Sequence, residues 1–225
     1  RRYDAQLVGQ GAVVPNGGTV LDLGCGTGTS TRRLAALFPQ AREVLGVDLS
    51  PHMVAVGRQL TCLAQDPTWI GKWVDPDTFD IDLKASNAGA TCGSGVGVRY
   101  SNKAALRYIY GDLSDLSSLG IASGSVDLVS LCLVIHELPP ETTAQSIREA
   151  YRVLKPGGQL CLMEMDPESP GFVKLRANPL LFSMVRSTEP FLDVYFDWAP
   201  ALPEVLVSEG FELVSIGAAT GRHFA

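Results

Sequence analysis

The stretch "LDLGCGTGTS", residues 21–30, runs from an apolar segment into three alternating glycines and then into hydroxyl residues. This order is typical of a strand that ends in a glycine-rich turn before a helix begins. In such a unit the loop amides and the helix N-terminus face a ligand, and glycine is required where a Cβ would block the backbone's approach. We therefore expect Gly24, Gly26 and Gly28 to form a binding loop rather than an ordinary turn.

Short aliphatic runs alternate with segments of helical period along the rest of the chain. This rhythm predicts an α/β fold with a Rossmann-like, doubly wound and mostly parallel sheet in a single domain, residues 1–225. The predicted strands are residues 19–24, 43–48, 106–111, 126–134, 159–165 and 211–217. The predicted helices are residues 30–38, 50–60 and 141–154, and Ser50 followed by Pro51 is a favourable N-terminus for the second.

Two regions interrupt this rhythm. Residues 64–105 form an insertion after the second helix that is far longer than ordinary α/β connections. It is either an irregular surface segment or a lid or docking loop anchored by Trp69 and Trp73. Residues 166–200, after the fifth predicted strand, are apolar and aromatic, and we expect them to form a helical cap over the strands' carboxyl ends, where open α/β sheets bind ligands.

Composition narrows the class of protein. The chain has 225 residues, 46% of them hydrophobic and 19% charged, which suits one folded domain, and its formal net charge is −6. No basic run interleaved with aromatic residues is present, so we expect no nucleic-acid partner. The sequence shows neither a signal-peptide pattern nor an apolar run of membrane-spanning length, which favours a soluble protein. Five cysteines without a C-x-x-C pair predict no metal site, and their odd number favours a reducing compartment.

The spacing of the glycines discriminates between cofactors. The dinucleotide fingerprint is G-x-G-x-x-G, whereas this loop reads G-x-G-x-G and Thr29 stands where the third glycine would be. Asp22, at the end of the first strand, would repel a diphosphate but suits a ligand with an ammonium group, such as S-adenosylmethionine. Asp48, which ends the second strand, can accept hydrogen bonds from ribose hydroxyls in either case. An NAD-dependent oxidoreductase is thus the disfavoured alternative.

Five segments together resemble the class I S-adenosylmethionine-dependent methyltransferases, in the order expected for them. They are "VLDLGCGTG" (20–28), "VLGVDLSPHM" (44–53), "YGDLSDL" (110–116), "VDLVSLCLVIHELP" (126–139) and "EAYRVLKPGGQL" (149–160). The sequence around "HELP" and "KPGG" is similar to that of methyltransferases of the ubiquinone/menaquinone-biosynthesis type. "STEPFLDVYF" (187–196) and the final "GRH" resemble uncharacterised plastid methyltransferases of plants and algae, which implies a plastid location. The resemblance also implies a seventh strand that begins near Arg222.

The resemblance assigns the cofactor contacts. Asp22 and the loop backbone would hold the methionine portion, Asp48 the ribose, and Leu49 and Met53 the adenine faces. Asp112 would accept from the adenine amino group. The remaining implied contacts are Gly24, Cys25, Gly26, Gly28, Leu113 through its amide, and Leu131. Ordinary structural roles remain as alternatives, namely a helix-capping carboxylate for Asp48, an Asx-turn for Asp112 and core packing for Met53.

The acceptor side is less constrained by sequence. Methyl transfer is an in-line displacement that depends mainly on alignment, but a hydroxyl or ring-carbon acceptor must also lose a proton. His136, just after the fourth predicted strand, is the candidate base. The alternative is that His136 hydrogen-bonds a backbone carbonyl or caps the next helix.

Other polar residues near the strand ends are weaker candidates. Glu164 and Asp166 end the fifth predicted strand and are secondary candidates, whereas Glu137 is expected to be a helix-end charge. His52 is expected to face solvent, and His223 would reach the substrate only if the last hairpin folds back.

Two functions follow from these features. The first is methyl transfer to a small apolar or aromatic acceptor, quinone-like or lipid-like. The alternative is a non-catalytic methyltransferase-fold subunit that docks into a larger assembly through residues 64–105, a segment that would equally serve peripheral membrane association.

Overall fold

The first strand, β1 (Thr19–Leu23), lies at the centre of the seven-stranded sheet, and four of its five residues are buried. The structure is a computed structural model, and it describes residues 7, 9–63, 98–100, 104–218 and 223–224. The other strands are β2 (Glu43–Asp48), β3 (Val98–Tyr100), β4 (Ala104–Tyr110), β5 (Val126–Cys132), β6 (Leu154–Met165) and β7 (His223–Phe224).

The sheet has the order β3-β4-β2-β1-β5-β6-β7. Strands β4, β2, β1, β5 and β6 are mutually parallel, whereas β3 and β7 pair antiparallel at the two edges. The chain therefore leaves β1 toward β2 on one side and returns to β5 on the other. The crevice at the carboxyl ends of β1, β2 and β5 is the switch point at which such sheets bind ligands.

Helices cover the sheet and follow its last long strand. They are α1 (Thr29–Leu37), α2 (Pro51–Leu63), α3 (Pro140–Val153), α4 (Pro170–Arg176), α5 (Pro179–Thr188), α6 (Leu192–Trp198) and α7 (Leu202–Ser208). Apolar side chains fill both sides of the sheet, with Val20 and Val44 in one cluster and Leu21 and Leu23 in the other. The predicted doubly wound, mostly parallel fold is confirmed, including helices within residues 166–200.

One predicted strand is wrong. Residues 211–217 have no regular secondary structure, and Val214 is 79% exposed. The run has the composition of a strand, but among the described residues only Ala218, just beyond it, forms a bridge, with Phe224. The segment instead lines a groove of about 770 Å³ beside β6. The strand expected near Arg222 is present as β7.

The insertion is only partly described. Residues 64–97, with Trp69 and Trp73, and residues 101–103 lie outside the described residues. β3 and the first two residues of β4 fall inside the range that was expected to be irregular. The third strand prediction was therefore correct in position but began two residues late.

A buried carboxylate joins the ends of β5 and β6. Glu164, only 1% exposed, accepts hydrogen bonds at Oε2 from the amides of Val134 and Ile135, at 3.0 and 2.9 Å. These amides follow β5 and begin the short 3-10 helix Ile135–Glu137, so a carboxylate on β6 satisfies them. The contact fixes the path of the chain after β5.

Replacement of Glu164 tests this role. Glu164→Ala leaves two buried amides without an acceptor, so we expect the free energy of unfolding to fall by about 2 to 6 kcal/mol. Glu168→Ala removes an exposed carboxylate four residues later and should change stability by less than about 0.5 kcal/mol. Urea denaturation of the three proteins measures both effects, and equal losses in the two variants would contradict the assignment.

Candidate active site

Glycine occupies three positions after β1, and the structural reason differs among them. All have positive φ, +65° at Gly24, +52° at Gly26 and +77° at Gly28. A Cβ at Gly24 would lie 2.6 Å from Val134, and one at Gly28 would lie 2.3 Å from the Tyr108 hydroxyl oxygen. A Cβ at Gly26 would meet nothing within 4 Å. The outer glycines thus permit close packing, whereas the middle one borders open space above the loop.

Asp48 anchors this loop to the end of β2. Its Oδ2 accepts from the Gly26 amide at 2.7 Å, and its Oδ1 accepts from the Ser50 amide at 2.8 Å. The Ser50 hydroxyl in turn accepts from the Met53 amide at 3.3 Å, as predicted for the N-terminus of α2. Each carboxylate oxygen has two lone pairs, so Asp48 retains the capacity to accept a ribose hydroxyl while it holds the loop.

Asp22 is fully buried beneath the loop. Its Oδ2 accepts from the hydroxyls of Ser30 and Thr31 at 2.6 and 2.7 Å. Burial raises the pKa of Asp22 to about 6, and the hydroxyls of Ser30, Thr31 and Ser130 offset this only in part. Among the described residues, none donates a hydrogen bond of ordinary geometry to Asp22 Oδ1. A buried acceptor without a donor is costly, which fits a ligand group that donates at this position.

The adenine side has both exposed and buried members. Leu49 and Met53 are 58% and 45% exposed, so Met53 is not a core side chain. Asp112 Oδ1 accepts from the amide and hydroxyl of Ser114, at 2.8 and 2.7 Å, which is an Asx-turn. The Gly111 amide donates to the Asp48 carbonyl at 3.0 Å, so Asp112 follows directly on a residue tied to β2. The side chains of Leu113 and Leu131 are buried, at 5% and 1% exposure.

His136 lies in the 3-10 helix after β5 and is 2% exposed. Its Nδ1 is 2.5 Å from Glu164 Oε1, and its Nε2 is 3.8 Å from a carboxylate oxygen of both Glu137 and Glu189. Burial alone would lower the pKa of His136, but the hydrogen bond to Glu164 and the three negative charges raise it above its ordinary value. The residue pairs with a carboxylate, instead of the backbone carbonyl or helix cap considered from sequence.

The structure also describes the positions of the weaker candidates from the sequence. Glu137 ends the 3-10 helix, as expected of a helix-end charge, and its 60% exposed side chain also lies 3.8 Å from His136 Nε2. Partial burial and the nearby Glu189 raise the pKa of Glu137. His52 is exposed, as expected. Asp166 accepts at Oδ1 from the Glu168 amide at 3.0 Å. His223 is the register partner of Met165, so the last hairpin does return to the carboxyl end of β6.

Sequence reasoning missed several residues of this site. Ser30 and Thr31 were interpreted only as the start of a helix, and Glu189 only as part of a motif. Leu133 has a φ of +58°, a conformation that costs a leucine about 1 to 3 kcal/mol. It turns the chain after β5, so that Val134 packs on Gly24 and the next amides reach Glu164. No sequence signal marks Leu133, because nothing in its residue type favours this φ.

A family model described as a methyltransferase domain matches residues 21–160, which is more than half of the chain. The chain belongs to the methyltransferase domain family. Its relatives include an arsenite methyltransferase of Aquipseudomonas alcaligenes, 29% identical over 79% of this chain and 42% of that protein. A demethylmenaquinone methyltransferase of Listeria monocytogenes is 28% identical over 71% of this chain and 50% of the relative. The chain thus spans about half or less of these relatives' length.

Solved structures agree on the fold of this methyltransferase domain. A structure from Bacillus halodurans has a TM-score of 0.56 at 19% identity, over 95% of this chain and 71% of that one. An arsenic(III) S-adenosylmethionine methyltransferase from Chlamydomonas reinhardtii has a TM-score of 0.50 at 23% identity, over 88% of this chain and 54% of that one. At these identities the likeness shows the class I methyltransferase fold alone.

Membership of this family implies S-adenosylmethionine as the cofactor, and two features of the site fit it. The open space at Gly26 can receive the ligand's backbone-facing portion, and the buried carboxylate of Asp22 lies at the end of the strand from which this loop begins. Within the described part of the chain, no helix of the methyltransferase domain is both long enough and apolar enough to cross a bilayer.

Two matched alanine substitutions separate packing from binding in the loop. Gly28→Ala combines positive φ with a clash on Tyr108, so we expect a loss of at least about 1 to 3 kcal/mol in unfolding free energy. Gly26→Ala has a similar backbone cost without the clash, but its Cβ enters the ligand space, so affinity for S-adenosylhomocysteine should fall at least tenfold. Thermal unfolding and calorimetric titration measure the two quantities. A Gly26→Ala protein that binds S-adenosylhomocysteine like the wild type would contradict the assignment of the space at Gly26 to the ligand.

Proposed function

We propose that this chain transfers a methyl group from S-adenosylmethionine to a small acceptor. The observation that carries the proposal is the open space at Gly26, in the glycine loop that directly follows β1 and its buried carboxylate, Asp22, whose Oδ1 has no hydrogen-bond donor of ordinary geometry among the described residues. A cationic ligand with an ammonium donor satisfies that oxygen, whereas a diphosphate would be repelled by it. The position also lies at the switch point of the sheet, where α/β folds bind their ligands.

The neighbouring residues supply the rest of a cofactor site in this proposal. Asp48 accepts the ribose hydroxyls, and the exposed side chains of Leu49 and Met53 cover the adenine. Asp112 and the Leu113 amide, which follow β4, take its polar edge. Cys25 and Leu131 contribute through the loop backbone and through packing beneath it, because both side chains are buried.

The reaction would take place between the glycine loop and the ends of β5 and β6. The acceptor atom attacks the methyl carbon in line with the breaking C–S bond, from a distance of about 3 to 3.5 Å. If the acceptor is a hydroxyl, its proton leaves before or during the attack. His136 is the proposed proton acceptor, since Nδ1 is held by Glu164 and Nε2 carries the available lone pair.

A quinone-like or otherwise apolar acceptor is the finer part of the proposal. The helices after β6 carry stacked aromatic rings, with Phe182 and Phe196 at 6.3 Å between centroids. The Listeria relative is named for a quinone substrate, and the Aquipseudomonas relative for arsenite. Arsenic(III) prefers thiolate ligands, but burial raises the pKa of Cys25 well above its ordinary value and that of Cys161 to about 12. Cys25 and Cys161 are therefore poorly suited to bind arsenic(III), which supports the apolar acceptor, and the side chains of Cys62 and Cys92 lie outside the described part of the chain.

Location and assembly remain predictions. The plastid location rests on the resemblance of residues 187–196 and of the C-terminal residues. The alternative of a docking subunit, or of peripheral membrane association, rests on Trp69 and Trp73, which lie outside the described residues.

Formation of S-adenosylhomocysteine tests the activity. The chain is incubated with S-adenosylmethionine and either a demethylated, short-tailed quinol or arsenite with a thiol reductant. We expect S-adenosylhomocysteine and methylated product in equal amounts with the quinol and none with arsenite. Methylated product with arsenite but not with the quinol would overturn the proposal of an apolar acceptor. Failure of both S-adenosylmethionine and S-adenosylhomocysteine to bind at millimolar concentrations would overturn the cofactor site.

The pH dependence of cofactor binding tests Asp22. The ionised carboxylate attracts the ligand's ammonium group, so affinity should rise with pH through about 6 and be roughly tenfold weaker at pH 5 than at pH 7.5. The free energy of unfolding of the ligand-free chain changes with pH in the opposite direction. Since the folded pKa is raised, the contribution of Asp22 is present below its unfolded pKa near 3.8 and is lost as pH rises through about 6. Calorimetric titration with S-adenosylhomocysteine and urea denaturation measure the two trends.

Asp22→Asn is the matched control for that experiment. It keeps the shape and the hydroxyl contacts but cannot ionise, so binding should be weak and independent of pH between 5 and 7.5. A variant that keeps the slope of the wild type would assign the pH dependence to another group.

A further inference from the structure

We propose that His136, Glu137 and Glu189 form a binding site for one divalent transition-metal ion at the carboxyl end of β5. His136 Nε2 lies 3.8 Å from Glu137 Oε1 and 3.8 Å from Glu189 Oε2, and the three ligand atoms all lie within 4.8 Å of one another. Ligands bonded at about 2.1 Å to a single ion lie at most about 4.2 Å apart. A small closure of the two carboxylates therefore brings all three atoms onto one ion.

The histidine is oriented for this role by contacts behind it. Its Nδ1 is 2.5 Å from Glu164 Oε1, and Glu164 is itself fixed by the Val134 and Ile135 amides. In the neutral imidazole, a proton on Nδ1 donates to Glu164, and the Nε2 lone pair then faces the two carboxylates. A carboxylate behind a histidine is the usual support of metal ligands in proteins, because it fixes the ring and the tautomer.

Among the residues that the structure describes, Nε2 has only Glu137 and Glu189 near it. His136 is 2% exposed, and the structure places no hydrogen bond on Nε2 from any described residue. The edge of Tyr195 lies against the ring, with centroids 6.2 Å apart, and the Tyr195 hydroxyl is committed to the Met165 carbonyl at 2.6 Å. The lone pair is thus buried, fixed in direction and unused.

The charge balance around the cluster also favours a cation. Glu137 and Glu189 have no lysine or arginine partner among the described residues, and Arg186, which is near in sequence, pairs with Asp193. Glu164 and Asp48 add negative charge nearby, and both raise the pKa of Glu137. A bound cation would relieve this repulsion.

The donor set selects the class of ion. One imidazole and two carboxylates suit first-row divalent ions such as Mn²⁺, Fe²⁺ or Zn²⁺, and three protein ligands leave positions open. An open position would bind a hydroxyl oxygen of the acceptor and release its proton to solvent, which leaves an oxygen anion to attack the methyl group. That role rests on the proposed methyl transfer, whereas the binding site does not. An ion and a proton compete for Nε2, so this role is the alternative to His136 as base.

Manganese binding without cofactor tests the site, because Mn²⁺ prefers oxygen and nitrogen to the thiols of the chain. The chain is freed of metal with a chelator and titrated with Mn²⁺, and the free ion is followed by its electron paramagnetic resonance signal. We expect one ion per chain, and at least tenfold weaker binding in both Glu137→Gln and Glu189→Gln. Glu141→Gln removes an exposed carboxylate four residues beyond Glu137 and should bind like the wild type.

Two results would overturn the metal site. One is no stoichiometric binding by the wild type, and the other is equal binding by wild type, Glu137→Gln and Glu189→Gln. S-adenosylhomocysteine titration of the same proteins separates this outcome from the proposed function. Loss of Mn²⁺ binding with intact S-adenosylhomocysteine binding in the glutamine variants supports the metal site, whereas a wild type that binds Mn²⁺ but neither form of the cofactor contradicts only the methyl transfer.

Discussion

The carboxylate of Glu164 is the contact on which the acceptor side of this domain depends. One oxygen accepts the amides that follow β5, and the other holds the ring of His136. A buried carboxylate is unfavourable unless its lone pairs are satisfied, and here each oxygen has donors from the backbone or the imidazole. The same residue therefore closes the β5 turn, sets the histidine's tautomer and supplies charge to the crevice.

Acidic residues at the strand ends follow one physical logic. Each of three strands carries a carboxylate at its last or second-last residue, namely Asp22 on β1, Asp48 on β2 and Glu164 on β6. Each carboxylate accepts hydrogen bonds from amides or hydroxyls of a neighbouring loop or helix. Hydrogen-bonded carboxylates at the carboxyl ends of these strands make the crevice negative without surface ion pairs. This charge suits a sulfonium cofactor, and at the β5 end it suits a metal ion. Asp48 anchors the loop, and its proposed second role as ribose acceptor would link the loop's shape to ligand binding.

The sequence predicted the parallel strands and the position of the glycine loop well, because both depend on local patterns. Strand periodicity places all five parallel strands, and the spacing of Gly24, Gly26 and Gly28 after Asp22 identifies the loop. The acceptor side depends on contacts that no local pattern records. Glu189 reaches His136 from a helix end far along the chain, and Leu133 adopts a conformation that its residue type disfavours. Residues 211–217 have the composition of a strand, but composition does not supply a paired neighbour.

The thiol of Cys25 offers a use of the loop as its own reporter. The side chain is 4% exposed between two glycines, and burial, with the charges of Asp22 and Asp48, keeps it protonated. Alkylating reagents attack only the exposed thiolate, so this cysteine reacts when the loop transiently opens and not in the closed form. The rate of its modification therefore reports how often the glycine loop opens. A ligand that covers the crevice would lower this rate in proportion to its occupancy.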